Sequence, residues 1–462
     1  MENSSGKRTR YRWIVLLMIY VTYMIAGADR ANIGVLIPVI RQDFNLSNTD
    51  VGALASLFYI SYAIIQIPAG YLFQKFGVRK LLVGSMVLTS LATLVTGLAA
   101  TTLQLKLARF VLGAAEGPIN IGIVSTINRW FPPQEKGLAT GVFMSSIKFA
   151  PAFVPPLCAF LMLHFGWREV FFIFGIPGFV CAALWYFLVR DDPSESKRCS
   201  PAEVAYIKDA PRQDGGDSTT QPKQVVSSRD WIDGLIRTRD VDLLQTNKEV
   251  LRSWNVWACA LGYFFMVGIT YTIMTWIPTY LVSVKHYSIM KMGLVASAPW
   301  VGAIVGNILG GWLSDRVFAR RRKPVMLITS AATVLSMFAL IHAPAAPLAL
   351  SAMFFCVGVL LNLGYSTFLV YPMAIAAKER VPFTASIVNT AGSLGGAFTP
   401  FVVGVLLDKF SWTWVFGLLA ATSLLTFVLV VSMIEPRVCT RFSDTATDVD
   451  ALSGTTKSSS AP

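Results

Sequence analysis

Five ionisable residues stand inside stretches that are otherwise apolar: Asp29, Arg30, Arg109, Glu116 and Lys148. Each costs at least about 2.5–3.5 kcal/mol at the centre of a bilayer, so residues of this kind are kept for use rather than for packing. Three cations face two acids, which leaves one positive charge in excess while both acids are ionised. An organic carboxylate would supply the missing negative charge. Arg30 is the first candidate to hold it, because a guanidinium offers two parallel donors to a carboxylate and stays charged when desolvated. Lys148, on a stretch interrupted by Pro151, Pro155 and Pro156, is a candidate for a second acidic or hydroxyl group.

Arg109 and Glu116 are seven residues apart. On a helix they share nearly one face but lie about 10 Å apart along the axis, too far for a direct pair. The economical expectation pairs Arg109 with Asp29 across a helix interface and leaves Glu116 in apolar surroundings. Both acids are then candidate proton-coupling sites, with Glu116 the first choice and Asp29 the second. No constellation for covalent or metal chemistry accompanies them. The three histidines (164, 286 and 342) fall near the ends of apolar stretches without an H-E-x-x-H, and the six cysteines include no C-x-x-C pair. No enzyme activity, cofactor, metal site or disulfide framework is expected.

The elements that must position these groups follow from composition. The 462 residues are 54% hydrophobic and 14% charged, against about 25% charged in soluble domains. The apolar residues form twelve stretches near 13–40, 51–73, 80–100, 102–128, 137–163, 169–189, 254–282, 291–313, 324–343, 346–376, 384–407 and 412–434. A hydrocarbon core about 30 Å thick needs roughly 20 residues per helix, so the expected fold is an all-α membrane protein of twelve transmembrane helices. The expected organisation is a tail over 1–12, a six-helix bundle over 13–189, a polar linker over 190–253, a second bundle over 254–436 and a tail over 437–462. The basic run Lys7, Arg8, Arg10 and Arg12 precedes a long apolar stretch without a small-residue cleavage site, so the first span is expected to be retained.

The net charge of +13 does not indicate nucleic acid, because the basic residues sit in short turns. Lys75, Arg79 and Lys80, then Arg129 and Lys136, then Arg316 and Arg320 to Lys323, then Lys378 and Arg380 all fall on one side, together with both termini. The positive-inside rule makes that side the cytoplasm, as expected of a multi-pass protein of the inner (plasma) membrane. An internal repeat is also visible. Gly70-Tyr-Leu-Phe-Gln74-Lys75, with Gly77, Arg79 and Lys80, matches Gly311-Trp-Leu-Ser-Asp315-Arg316, with Arg320 to Lys323. Glu135-Lys136 matches Glu379-Arg380, and Phe165-Gly-Trp167 matches Phe410-Ser-Trp412, all at offsets of 241 to 245 residues. Two parallel six-helix repeats are expected, with a substrate site near the midplane where they meet.

The repeated turn resembles the signature loop of the major facilitator superfamily. Within it, Asp29-Arg30-Ala31-Asn32 and Arg109-Phe-Val-Leu-Gly113-Ala-Ala-Glu116-Gly-Pro118 resemble the anion:cation symporter family, which includes bacterial galactonate, glucarate and hexuronate transporters and is related to the animal sialin and vesicular glutamate carriers. Two positions depart from that pattern: Gln74 replaces the usual Asp of the first loop, and Gly27 stands where sugar-acid members tend to carry an aromatic. The resemblance implies gating by the two loops through Gly70, Lys75, Gly77, Arg79, Gly311, Asp315 and Arg316. It also places Tyr62, before Gln66-Ile-Pro68, and Asn389, before Thr-Ala-Gly-Ser, among the substrate-binding residues. Tyr271, Trp276, Ser366 and Ser393 add polar and aromatic groups suited to hydroxyls, Tyr271 and Ser366 being counted with the binding set. The expected function is proton-coupled symport of an organic carboxylate, a sugar acid foremost, by a monomer working through alternating access. The alternatives are an exchanger or uncoupled carrier of the same fold, or a carrier of aromatic or short dicarboxylic acids.

Overall fold

A computed structural model describes residues 8–209, 236–239, 241–319, 321–377 and 379–436; the side chains of Ile67, Gln74 and Asp209 are outside the description. Lys7, Arg320, Lys378, the middle of the linker and the tail from 437 therefore lie outside the described residues. The first half holds α1 (Tyr11–Phe44), α2 (Asn48–Phe76), α3 (Val78–Leu98), α4 (Thr102–Trp130), α5 (Pro133–Phe165) and α6 (Trp167–Leu188). After the short linker helices α7 (Pro201–Asp209) and α8 (Asn247–Arg252) come α9 (Trp254–Ser283), α10 (Ile289–Trp312) and α11 (Lys323–Ile341). The chain then forms α12 (Pro347–Asn362), α13 (Tyr365–Ile375), α14 (Val381–Lys409) and α15 (Trp412–Ser432).

Among the described residues eleven helices are long and apolar enough to cross a membrane, α12 and α13 together counting as one span. The 29-residue α2 makes the twelfth. The helix ends fall within four residues of the stretches read from hydropathy. Sequence signals explain where they stop and start. Ser47 with Asp50 and Thr101 with Gln104 close capping boxes on α2 and α4, satisfying donors that the first turn of a helix leaves open. Gly77 turns the chain from α2 into α3 at φ +79°, a left-handed conformation in which a side chain would be strained. A Cβ there would also meet the Asp191 carboxylate at 2.7 Å.

The packing repeats with the sequence. In the first half α2 packs on α4, α3 on α6 and α1 on α5; in the second α10 packs on α12, α11 on α15 and α9 on α14. Each pair in one half is its counterpart moved on by six spans. The halves meet through α2 against α14, α5 against α10 and α1 against α9. The first two of those contacts are also exchanged by the repeat.

Tyr11 at the start of α1 donates its hydroxyl to the Leu188 carbonyl at the end of α6 (2.9 Å). The start of α11 and the end of α15 are tied in the same way by Lys323 Nζ on the Val431 and Met433 carbonyls, at 3.0 and 2.5 Å. These ends define the basic face. The linker is not featureless there. Glu203 on α7 accepts from the backbone N–H groups of Tyr11 and Arg12 and from the Arg12 guanidinium at 2.9 Å, and Arg12 also reaches Glu135 at 2.7 Å. Arg12, expected only as a topology signal, is thus a buried tie between α1, α5 and the linker. At the other end of the linker, Thr238–Arg239 pairs in parallel with Glu435–Pro436.

The hydrogen bonds that join the two halves lie from the middle of the helices to the face opposite the basic one. Asp408, at the end of α14, accepts from the Asn48 and Thr49 backbone N–H groups at 2.8 Å each and from the Thr49 hydroxyl at 2.5 Å. Ser56 donates to the Ala397 carbonyl, and a Cβ at Gly404 would stand 2.4 Å from the Asn48 carbonyl oxygen. The helices touch here because the residues at the crossing are small. At the basic face the repeated turns find partners within their own halves: Arg79 binds Asp191 and the Tyr186 carbonyl, and Asp315 pairs with Arg322 at 2.7 Å.

Candidate functional site

Arg30 leaves α1 just over five turns from its start, which places it near the middle of the bundle. Its Nε lies 2.5 Å from Glu116 Oε1 on α4, and its Nη2 donates to the Tyr23 hydroxyl at 3.3 Å. Tyr23 is seven residues before Arg30 on the same face of α1, so the spacing that separates Arg109 from Glu116 here brings a long side chain back onto its neighbour. The guanidinium also lies 5.0 Å from the ring centroid of Tyr62 and 5.9 Å from that of Phe58, close enough for cation–π attraction. Glu116 is fully buried, and its second oxygen, Oε2, has no hydrogen-bond partner among the described residues.

The expected pairing of the charges is therefore corrected. Arg109 does not hold the Asp29 carboxylate; its Nη1 donates to the Asp29 backbone carbonyl at 3.3 Å, and its guanidinium lies 5.1 Å from the Phe58 ring centroid. Glu116 is not alone in apolar surroundings, because Arg30 reaches it. Asp29 is buried, and among the described residues its Oδ1 makes no hydrogen bond, although the Thr93 hydroxyl lies beside the carboxylate. Asn32, one turn further along α1, is also buried, with neither amide atom paired among the described residues. Such groups cost free energy unless water or a proton satisfies them.

Lys148 on α5 points toward the other half. Its Nζ donates to Asn362 Oδ1 on α12 at 3.1 Å and lies 4.1 Å from the Tyr365 ring centroid. The tenth span is broken between those partners, at Leu363 and Gly364. Tyr365 stands 5.5 Å from Tyr263 between ring centroids, and Tyr271 lies 4.2 Å from Tyr59 across the halves. Tyrosines thus stand beside both Arg30 and Lys148, and one tyrosine pair spans the two halves. Gly27 packs α1 onto α5 tightly enough that a Cβ there would meet the Ala150 methyl at 2.9 Å. That contact leaves no room at position 27 for an aromatic ring.

The model of the Major Facilitator Superfamily matches residues 19–400, with a second match over 321–448. The chain belongs to that superfamily. It is a membrane-spanning transporter of the superfamily and not an enzyme. It is similar to the probable galactarate/D-glucarate transporter GarP of Escherichia coli K12, at 29% identity over 460 residues, covering 94% of this chain and 97% of that one. The D-galactonate transporter of E. coli O6:H1 is 26% identical over 94% of this chain and 98% of its own. The probable sulfoacetate transporter SauU of Cupriavidus necator is 28% identical over 87% and 89%. Among solved structures, a bacterial homolog of the human lysosomal transporter Spinster, inward-facing and unoccupied, superposes with a TM-score of 0.67 at 18% identity, covering 92% of this chain and 95% of that one.

Seen as a facilitator, the remaining expected residues sort by position. Tyr62 and Tyr271 are with the Arg30 cluster. Ser366 is half-buried beside Tyr365, whereas Asn389 is exposed on α14 and only its carbonyl is engaged, by the Ser393 hydroxyl at 3.1 Å. Trp276 is fully buried and donates to the Pro400 carbonyl, a packing role. Of the gating residues, Gly70 and Gly311 face open space where another side chain could fit, and Arg316 is exposed. Lys75 has its ammonium 5.4 Å from the Phe76 ring centroid. Sequence reasoning quoted Asn32 within the family motif without giving it a role, and it passed over Tyr23, Phe58, Tyr59, Asn362 and Tyr365. Only Asn32 and Asn362, polar amides inside apolar stretches, carried a signal that could have found them.

Proposed function

We propose that this facilitator is a proton-coupled symporter of an organic carboxylate, a sugar acid foremost, of the anion:cation symporter type. The observation that carries the proposal is the buried Arg30–Glu116 pair at 2.5 Å beside the rings of Tyr23 and Tyr62, with a second buried acid, Asp29, whose Oδ1 has no hydrogen-bond partner among the described residues. A guanidinium held by a carboxylate is only half available to a substrate. A proton on Glu116 removes its competitor, and the freed donors of Arg30 then take a substrate carboxylate in the forked geometry. Substrate and proton bind together for that reason, and the same linkage makes each release promote the other. Asp29 is the second proton site, with Arg109 as the nearby positive charge. The relatives named for galactarate, glucarate and galactonate support a sugar acid as the cargo.

Alternating access follows from two repeats that meet at that site. The turns at 70–80 and 311–323 dock to close the basic face, and the contact of Asp408 with α2 closes the opposite one. The basic face and both termini lie in the cytoplasm of a bacterium, and the protein works as a monomer in its inner membrane. Proteoliposomes test the coupling. An imposed inward proton gradient should drive accumulation of galactarate or galactonate above equilibrium; uptake that only exchanges with internal anion, indifferent to the gradient, would make the protein an exchanger.

A further inference from the structure

We propose that Lys148 selects substrates with a second acidic group, so that the site takes diacids in preference to the corresponding monoacids; this rests on the organic-acid function proposed above. The sequence shows one positive charge in excess but not where it resides. In the structure Arg30 is joined to Glu116, and Arg109 shares the same cluster with Asp29. Lys148 stands apart from them. Its partners are a neutral amide, Asn362, and the face of a neutral ring, Tyr365. Among the described residues no carboxylate lies within 4.0 Å of it. The excess charge is therefore localised on this ammonium.

An ammonium drawn out of water is costly unless an anion meets it. Lysine has three donors; one is spent on Asn362 Oδ1 and one faces the Tyr365 ring, leaving a donor for a ligand. Asn362 is itself fixed, since its Nδ2 donates to the Gly358 carbonyl at 3.0 Å and so keeps Oδ1 toward the lysine. The break at Leu363 and Gly364 adds a second indication. Discontinuous helices near the midplane are where transporters build binding sites. Arg30 beside Tyr62, Lys148 beside Tyr365, and Tyr271 at the seam of the two halves suit a polyhydroxy chain with an acid at each end. A monoacid meets one cation and leaves the other uncompensated. With one proton on Glu116 the excess is two charges, which a dianion cancels.

Galactarate and galactonate are the probes, because they share six carbons and a hydroxyl pattern and differ in whether one end is a carboxylate or a hydroxymethyl. Calorimetry on the purified full chain should show galactarate binding about ten- to a hundredfold more tightly, the worth of one hydrogen bond between charged groups. Lys148→Gln should collapse that ratio toward one, and Lys148→Arg should keep most of it. Asn362→Asp places a carboxylate beside the ammonium and should collapse the ratio while the lysine remains, which decides the matter if Lys148→Gln does not fold. Equal affinity of the wild type for the two acids, or an equal loss of both in Lys148→Gln and Asn362→Asp, overturns the proposal and leaves the sugar-acid function standing. A wild type that binds neither acid overturns both.

Discussion

Asp408→Asn should loosen the closed face opposite the basic one. In the wild type the carboxylate accepts two backbone N–H groups from the first turn of α2 and the Thr49 hydroxyl, all from the other half. An asparagine of the same size keeps one carbonyl oxygen, loses the charge and turns an amide toward donors. Buried hydrogen bonds to charged groups contribute about 1.5–3 kcal/mol, and a charge at an exposed helix N-terminus about 0.3–1 kcal/mol. Asp408 is exposed, so the loss should be near 1 kcal/mol, about a fivefold shift between the two open forms. Hydrogen exchange followed by mass spectrometry reads it without labels. Peptides over 45–55 should exchange about fivefold faster, and so should peptides over 289–297, where Gly293 of α10 packs against Pro155 of α5 on the same face. Asp408 makes no contact there, so acceleration confined to 45–55 would show local fraying and refute a latch between rigid halves.

Arg30→Lys should remove most transport in a protein that still folds, since an ammonium cannot make the forked contact; unchanged substrate affinity in that variant would sink the assignment. Glu116→Gln should lose proton-driven accumulation while partly keeping counterflow, because glutamine resembles the protonated acid and has no proton to release; accumulation that still follows an imposed pH gradient would move the proton site to Asp29. Substrate affinity in the wild type should improve as pH falls between about 8 and 5 for an anion of constant charge, and the dependence should flatten in Glu116→Gln; a flat wild-type profile favours the exchanger. Outside the membrane, burial pushes the Glu203 carboxyl up, but hydrogen bonds from Thr9, Tyr11 and Arg12 outweigh it and hold the group below its ordinary value. Docking of α7 should then be constant above the ordinary carboxylate range, about 4.3, and be lost as pH falls through the lowered value. Glu203→Gln should free α7 to proteolysis at neutral pH.

Most of the fold was legible because a bilayer admits few solutions. A helix must satisfy its own backbone in hydrocarbon, so an apolar stretch such as 412–434 has one reading, and α15 occupies it. The repeat was legible for a similar reason: Gly70 and Gly311, Phe165 and Phe410 mark turns that both halves must make. The linker was less so. Its part from 193 to 209 holds a short helix whose Glu203 is buried against Arg12, and neither residue looks unusual in a polar, basic context. What fixes them is a partner 191 residues away, which no local pattern records.

The five embedded charges were legible one by one, yet their pairing was not. Helical spacing says that Arg109 and Glu116 share a face, but it does not say which neighbour faces that stripe, and α1 could present either Asp29 or Arg30 to α4. Adjacent residues on a helix point about 100° apart. A small rotation of α1 therefore exchanges one for the other, and the close approach of Gly27 to Ala150 restricts that rotation. With α1 so turned, Arg30 meets Glu116 and Asp29 is left toward α3 and Thr93. In the symport proposed above, this contact is expected to set which acid competes with substrate for Arg30. Gly27→Ala, which adds one methyl where 2.9 Å is available, should push α1 away from α5 and disturb the Arg30–Glu116 pair. Substrate affinity would then lose its pH dependence although every ionisable residue is still present. A Gly27→Ala protein with a wild-type pH profile would mean that the pair is fixed by its own electrostatics and not by the packing of α1.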